Sequence, residues 1–119
     1  MKRFKVNKDD TITDTKTGLM WQKQFTNPLS WAQAVDYAKK LNLAGHSDWR
    51  LPTIKELITL IDFGKYEPVT GFPEMSPDYF WSSSSYAPHS GFAWVVDFYN
   101  GKGDPVDKDC DLYVRCVRG

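Results

Sequence analysis

The sequence predicts a small α+β domain in which two helices pack on a mainly antiparallel, twisted sheet with long connecting loops. Two segments begin with a capping-box pattern and continue with apolar residues at helical spacing, which predicts the helices. A hairpin pattern before them and three runs of aromatic and β-branched residues after them predict the sheet. We expect residues 1–119 to form one domain, because this length suffices to bury a core.

The N-terminal part of the chain predicts a β-hairpin. Residues 11–13 and 19–22 are the two strand-like runs. Between them, residues 14–18 contain Asp, Thr and Gly, which favour a tight turn. This hairpin is expected to begin the sheet.

The first helix is predicted over residues 31–43. Ser30 and Gln33 have the spacing of a capping box, in which each side chain accepts a hydrogen bond from the other residue's backbone N–H. Apolar residues then recur at helical spacing until Gly45.

The second helix is predicted to start after Thr53 and to end at Gly64. Thr53 and Glu56 form a second capping-box pattern. The apolar stripe that we expect to pack on the sheet consists of Ile54, Leu57, Ile58 and Ile61, with Leu60 beside it.

The remainder of the chain predicts a long loop followed by strands. Residues 65–77 are rich in Gly, Pro and Glu and indicate a surface loop, and loops of this length are often functional. Strands are predicted over 79–86, 92–99 and 112–118. Residues 100–105 indicate a turn.

Composition and charge limit the classes of partner. Lysine and arginine together number 15 and balance 15 aspartates and glutamates, so no net field attracts nucleic acid or anionic lipid. No apolar run reaches about 18 residues, and the first residues lack the apolar core of a signal peptide. We therefore expect no nucleic-acid partner, no membrane insertion and no signal peptide in this chain.

The groups that suggest catalysis have better structural interpretations. Asp48 and Arg50 lie in the inter-helix joint, residues 45–57, where they can fix a turn through charge-assisted hydrogen bonds. The serines of residues 82–85 lack the motif of a nucleophile, and His46 and His89 are the only imidazoles. We predict that the protein is not an enzyme.

An acidic segment is the one weak candidate for a metal site. Asp107, Asp109 and Asp111 alternate, so an extended backbone would project their carboxylates to one side. An EF-hand counted from Asp107 requires Gly and Glu where Leu112 and Arg118 stand. The prediction is no cofactor, with calcium as the alternative.

Four motifs in order resemble one known family. The resemblance covers roughly residues 10–118, and its motifs are residues 13–21, 45–57, 80–85 and 114–118. These segments are similar to those of the Lcl C-terminal domain family, which the resemblance places in the C-type lectin-like superfamily. The resemblance implies that superfamily's fold, with the terminal strand beside the N-terminal one.

The resemblance also implies function and location. In collagen-like bacterial surface proteins this domain is associated with adhesion and with binding of sulfated glycosaminoglycans, which implies a bacterial extracytoplasmic setting. The densest basic cluster is Lys2, Arg3, Lys5 and Lys8 on the N-terminal segment. Because the net charge is zero, we expect weak or no binding to sulfated polymers.

The two cysteines, Cys110 and Cys116, depart from the disulfide pairing that the resemblance implies. In many relatives the cysteine matching Cys116 pairs with one on the first helix, where this chain offers Ala38, so we predict free thiols. A bridge between Cys110 and Cys116 would require a bend, because six residues of one strand span about 20 Å. Formylglycine-generating enzymes share a related fold and a copper-binding cysteine pair. The two cysteines of that enzyme pair are separated by a number of residues close to, but different from, that between Cys110 and Cys116. An oxidoreductase remnant similar to the formylglycine-generating enzymes is therefore a minor alternative.

The favoured prediction is a non-catalytic binding or adhesion module for a glycan or a protein partner, with a purely structural scaffold as a further alternative. Val69 stands where a Glu-Pro-Asn signature would supply a ligand for calcium and sugar. Aromatic rings and one imidazole on the loops are the predicted contacts. They are Tyr66, Phe72, Tyr79, Tyr86, His89, Phe92 and Tyr99.

Overall fold

Two antiparallel sheets and two short helices form the described part of the chain in the computed structural model, which covers residues 2–65, 70–73, 75–76 and 78–119. This arrangement is a small α+β domain, as predicted. The elements in chain order are β1 (Phe4–Val6), β2 (Thr11–Asp14), β3 (Met20–Gln22), α1 (Trp31–Lys40), α2 (Ile54–Ile58), β4 (Tyr79–Ser85), β5 (Phe92–Asp97), β6 (Lys102–Asp107) and β7 (Val117–Arg118).

The first sheet has the strand order β1-β2-β3-β7. Its centre is the predicted hairpin, in which Ile12 lies opposite Trp21. The terminal strand β7 pairs with β3, so the end of the chain joins the N-terminal hairpin. Strand β1 was not predicted; it adds to the outer side of β2.

The second sheet has the order β4-β5-β6, and its existence corrects the expectation of one sheet. Strand β6 includes residues 102–105, which were predicted as part of a turn. The prediction was wrong because Gly and Pro in this segment are typical of turns and hide the strand pattern. Gly101 has a φ of +81°, which permits the tight turn into β6. Pro105 is tolerated because β6 is an edge strand.

The predicted strand over residues 112–118 is a connector between the two sheets. Leu112 forms an isolated bridge with Leu29, and Tyr113 forms a parallel one with Phe80 of β4. Only the last residues pair regularly, as β7. The segment changes partner along its length, so it forms no continuous ladder that would merge the sheets.

Both capping boxes are present, and both helices are shorter than predicted. Ser30 and Gln33 cap α1, which ends at Lys40. Thr53 and Glu56 cap α2, which has only five residues. After Ile58 the chain tightens into turns that bury Leu60 and leave Ile58 48% exposed, so the predicted stripe is only partly buried.

Two groups of buried side chains form the core. The first joins the first sheet, α2 and the second sheet; it contains Ile12, Trp21, Leu57, Leu60, Phe72, Met75, Phe80, Val96, Phe98 and Val117. The second joins α1, the inter-helix joint and the second sheet; it contains Ala34, Ala38, Trp49, Leu51, Trp81, Ala93, Val95, Val114 and Cys116. No helix in the described residues has the length and hydrophobicity of a membrane span.

Candidate functional site

Asp48, Arg50 and Glu56 of the inter-helix joint are paired with one another or with the chain end. Arg50 donates two hydrogen bonds to Glu56, at 2.7 and 2.8 Å, and Glu56 also accepts from the N–H of Thr53 at 2.9 Å. Arg118 donates to both oxygens of Asp48, at 2.6 and 3.1 Å. Hydrogen bonds from Arg50 lower the pKa of Glu56, and those from Arg118 lower the pKa of Asp48. The predicted charge-assisted hydrogen bonds of Asp48 and Arg50 are therefore formed.

Three of the predicted contact residues come together at one end of the β4–β5 hairpin. The loop is closed by hydrogen bonds from the Tyr86 N–H to the Phe92 carbonyl and from the His89 N–H to the Tyr86 carbonyl. The rings of His89 and Phe92 are in contact with their centroids 4.6 Å apart and their planes tilted by 55°. Tyr86 meets the edge of Trp94 at 5.3 Å. We name Tyr86, His89, Phe92 and Trp94 the hairpin-end aromatic surface.

Trp94 was missed by sequence reasoning. It lies on β5 between Ala93 and Val95, which are both fully buried, so its alternation pattern indicated a strand rather than a site. Successive strand residues point to opposite faces, and Trp94 therefore shares a face with Phe92. That relation was available from the sequence once Phe92 had been chosen. The partial exposure of Trp94 depends on the tertiary structure.

The other predicted contact residues lie elsewhere. Tyr66 is outside the described residues. Phe72 is 3% exposed and packs edge-on against Phe4 and Trp21 in the core. Tyr79 and Tyr99 are about half exposed and lie at the opposite end of the β4–β5 hairpin. The structure therefore divides the predicted set rather than gathering it on one surface.

A basic side chain lies next to the hairpin end on the opposite face of the sheet. Lys108 donates its backbone N–H to the Gly91 carbonyl, at 2.8 Å. Its Nζ stands 4.2 Å from the centre of the Trp31 ring and 3.0 Å from Ser85 Oγ. The Trp31 indole is itself fixed by a hydrogen bond to the Ser82 carbonyl. This cation–π pair gives the hairpin end a positive charge that the sequence analysis did not identify.

The serines of residues 82–85 form hydrogen bonds within and around the second sheet. Ser82 Oγ donates to the Trp94 carbonyl at 2.6 Å. Ser84 Oγ accepts from the N–H of Ile54, and Ser85 Oγ accepts from Lys108. These hydroxyls position α2 and the hairpin end.

The acidic segment is a turn rather than an extended strand. Strand β6 ends at Asp107, whose side chain accepts from the N–H of Asp109 at 2.9 Å, and the N–H of Cys110 bonds back to the Asp107 carbonyl. The extended spacing that would align Asp107, Asp109 and Asp111 is therefore not formed. Within the described residues, no group of three His, Cys, Asp or Glu side chains could hold a metal ion.

The two cysteines are free thiols in different environments. Cys110 is exposed, and Cys116 is buried in the core group that also contains Ala38, the residue at the position of the relatives' helix cysteine. Burial raises the pKa of the Cys116 thiol to about 12. Cys116 thus acts as a small apolar side chain.

Comparison with known families identifies the chain. The family model described as the Lcl C-terminal domain matches residues 10–118. No curated protein gives a significant match. The matched region contains the capping boxes, the inter-helix joint and both sheets apart from β1. Because this match covers nearly the whole chain, the protein belongs to the Lcl C-terminal domain family.

Proposed function

We propose that this domain is a non-catalytic binding module that contacts its ligand through the hairpin-end aromatic surface. One observation carries the proposal: four ring side chains at the tip of the second sheet form two contacting pairs, one edge-to-face and one tilted, and remain partly or fully exposed to solvent. Rings of this kind lose little conformational entropy on binding, because the fold already orients them.

The ligand that suits this surface best is a glycan. Tyr86, Phe92 and Trp94 present apolar faces and edges against which a sugar ring can pack its C–H groups, while His89 and the Tyr86 hydroxyl supply hydrogen-bonding groups. The positive charge of Lys108 lies on the opposite face of the sheet, against Trp31, and is not part of this surface. A protein partner is the second candidate, since Trp and Tyr are also frequent at the centres of protein interfaces.

The family relationship supports the wider setting of this proposal. We propose a C-type lectin-like arrangement and an extracytoplasmic role in adhesion at a bacterial surface, as the resemblance implies. A cofactor is not part of the proposal. The non-catalytic assignment is supported by Cys116, whose burial and raised pKa make it a poor partner for Cys110 in a copper site.

A glycan array tests the proposal, run once with calcium and once with a chelator. We expect a saturable hit that weakens by about tenfold or more in a Tyr86→Ala, His89→Ala double variant, since truncating central contacts commonly costs more than 1 kcal/mol. The matched control is Tyr79→Ala at the opposite end of the hairpin, with an expected change below about twofold.

Three results of this experiment would contradict parts of the proposal. Equal weakening in the control and in the double variant would move the contact surface away from the hairpin end. A blank array in both conditions would overturn the glycan assignment. Sensitivity to the chelator would overturn the expectation that no metal takes part.

A further inference from the structure

The outer edge of the first sheet offers backbone groups that pair with none of the described residues. In β1 and its flanks, the alternate residues bond to β2: the Thr15 N–H donates to the Arg3 carbonyl at 2.8 Å, and the Asn7 N–H donates to the Thr11 carbonyl at 2.9 Å. Because antiparallel strands alternate their bonding direction, the N–H and C=O groups of Phe4 and Val6 point away from β2. In the described part of the chain, β1 is the outer strand of its sheet.

This edge is held rigidly in an extended conformation. Arg3 forms a two-pronged ion pair with the buried carboxylate of Asp14, with both distances 2.8 Å. The Phe4 ring packs edge-on against Phe72 with centroids 5.0 Å apart. A pre-organised strand loses less entropy when another strand adds to it, which favours binding at this edge.

The outer edge of the second sheet is built differently. The Lys108 N–H donates to Gly91, and the register of β5 and β6 then directs the nitrogen of Pro105 outward. Proline has no N–H, so it removes a donor from the side where another strand would pair. The β6 edge is therefore blocked at its centre, whereas the β1 edge keeps both outward donors.

The charges around β1 indicate what kind of strand would add. A concave surface of about 610 Å³ runs along the edge and is lined by Lys2, Phe4, Lys5, Val6 and Thr15. An adjoining concavity of about 550 Å³ includes Lys65, and among the described residues that line it Asp62 is the one with an acidic side chain. Arg3 is neutralised by Asp14, but Lys2 and Lys5 form no ion pair with any of the described residues.

We propose that β1 receives an added β-strand from an acidic, extended peptide segment of a protein partner. The partner's backbone pairs with Phe4 and Val6, and its acidic side chains lie beside Lys2 and Lys5. A second copy of this chain fits less well, because antiparallel pairing of two β1 strands about their centres places Lys5 opposite Lys5. This surface is separate from the hairpin-end aromatic surface.

A labelled seven-residue peptide of alternating Glu and Val tests the proposal by fluorescence anisotropy. We expect saturable binding by the full chain and at least about tenfold weaker binding of the same peptide with Lys in place of Glu. The Lys2→Glu, Lys5→Glu double variant should reverse that preference. Lys102→Glu on the blocked edge is the matched control, and it should change the affinity by less than about twofold.

Backbone pairing has its own readout. Hydrogen exchange should show that the amides of Phe4 and Val6 exchange rapidly in the free protein and become protected when the Glu-Val peptide is bound, whereas the Lys5 amide is protected in both states. Val6→Pro removes only an outward donor, so the variant should fold and bind the peptide about tenfold more weakly.

Three outcomes would overturn the proposal. These are the absence of saturable binding, binding that leaves the Phe4 and Val6 amides unprotected, and binding that is indifferent to the charge of the peptide. If Val6→Pro does not fold, the Lys2→Glu, Lys5→Glu double variant and the hydrogen-exchange measurement still test the proposal.

Discussion

The inter-helix joint and the hairpin end use similar residue types for different ends. Both contain tryptophan, basic side chains and hydroxyl groups. In the joint, Trp49 is 4% exposed, and Arg50 and Asp48 are bound to partners within the chain. At the hairpin end, the rings contact one another and keep open faces. Aromatic and charged composition alone therefore does not mark a site, because what matters is whether the fold has already given those groups partners within the chain.

Thiol labelling should give the largest contrast between the two regions. Cys116 is buried beneath the joint, in the same core group as Trp49, whereas Cys110 is exposed in the turn beside the hairpin end. At pH 8 we expect iodoacetamide to modify Cys110 at least about a hundredfold faster than Cys116, because burial keeps the Cys116 thiol protonated and inaccessible. Mass spectrometry of peptides after timed labelling measures both rates. Equal rates would show that the joint opens readily.

Removing the carboxylate of Glu56 should destabilise the inter-helix joint. Glu56→Ala removes the partner of Arg50 and one half of the capping box, and we expect a loss of about 2 kcal/mol in the free energy of unfolding. Glu56→Gln keeps the cap acceptor and should cost about half as much. Urea denaturation measures both values.

The control for this comparison is Asp36→Ala. Asp36 forms an exposed ion pair with Lys40 on the surface of α1. Such pairs contribute little, so a change below about 0.5 kcal/mol is expected. A cost equal to that of Glu56→Ala would mean that the joint is no more important than a surface contact.

Lowering the pH should reduce the free energy of unfolding, because it protonates the hydrogen-bonded carboxylates of Glu56 and Asp14. Hydrogen bonds from Arg50 lower the pKa of Glu56. Burial would raise the pKa of Asp14, but hydrogen bonds from Arg3, Thr17 and the Lys16 N–H outweigh it and lower that pKa. The unfolded chain therefore takes up protons first as the pH falls.

The stability from these two carboxylates is fully present above their unfolded pKa values, which lie at about 4 to 4.5. It is lost as the pH falls through the lower folded values. Thermal melts between pH 6 and pH 2 should show this loss, and Glu56→Gln should show a shallower one. A stability that does not change over this range would contradict the assigned hydrogen bonds.

The smallest expected effect concerns the hairpin end. Lys108→Met removes the charge over Trp31 and the hydrogen bond to Ser85 while it keeps an apolar side chain of similar length. We expect a cost of about 0.5 kcal/mol in the free energy of unfolding, because this cation–π pair is partly exposed. A cost near that of Glu56→Ala would show that the hairpin end is also a structural joint.

The predictions that succeeded rest on local sequence. Both capping boxes and the hairpin over β2 and β3 need only residues a few positions apart, so their patterns are readable without the fold. Tyr86, His89 and Phe92 are also close in sequence, so one turn brings them together, while their role as contacts stays a prediction. Strand β6 was missed because turn-forming residues occupy an edge position, where a proline costs little.

The family, the helix starts and the presence of an antiparallel hairpin follow from the sequence alone. The burial of Phe72 in the core, the partial exposure of Trp94, the connecting role of residues 112–118 and the edge position of β1 emerge only in the folded chain. The physical reason is the range of the interactions involved. Caps and tight turns are fixed by neighbours along the chain, whereas exposure and strand partnership depend on which distant segments bury which faces.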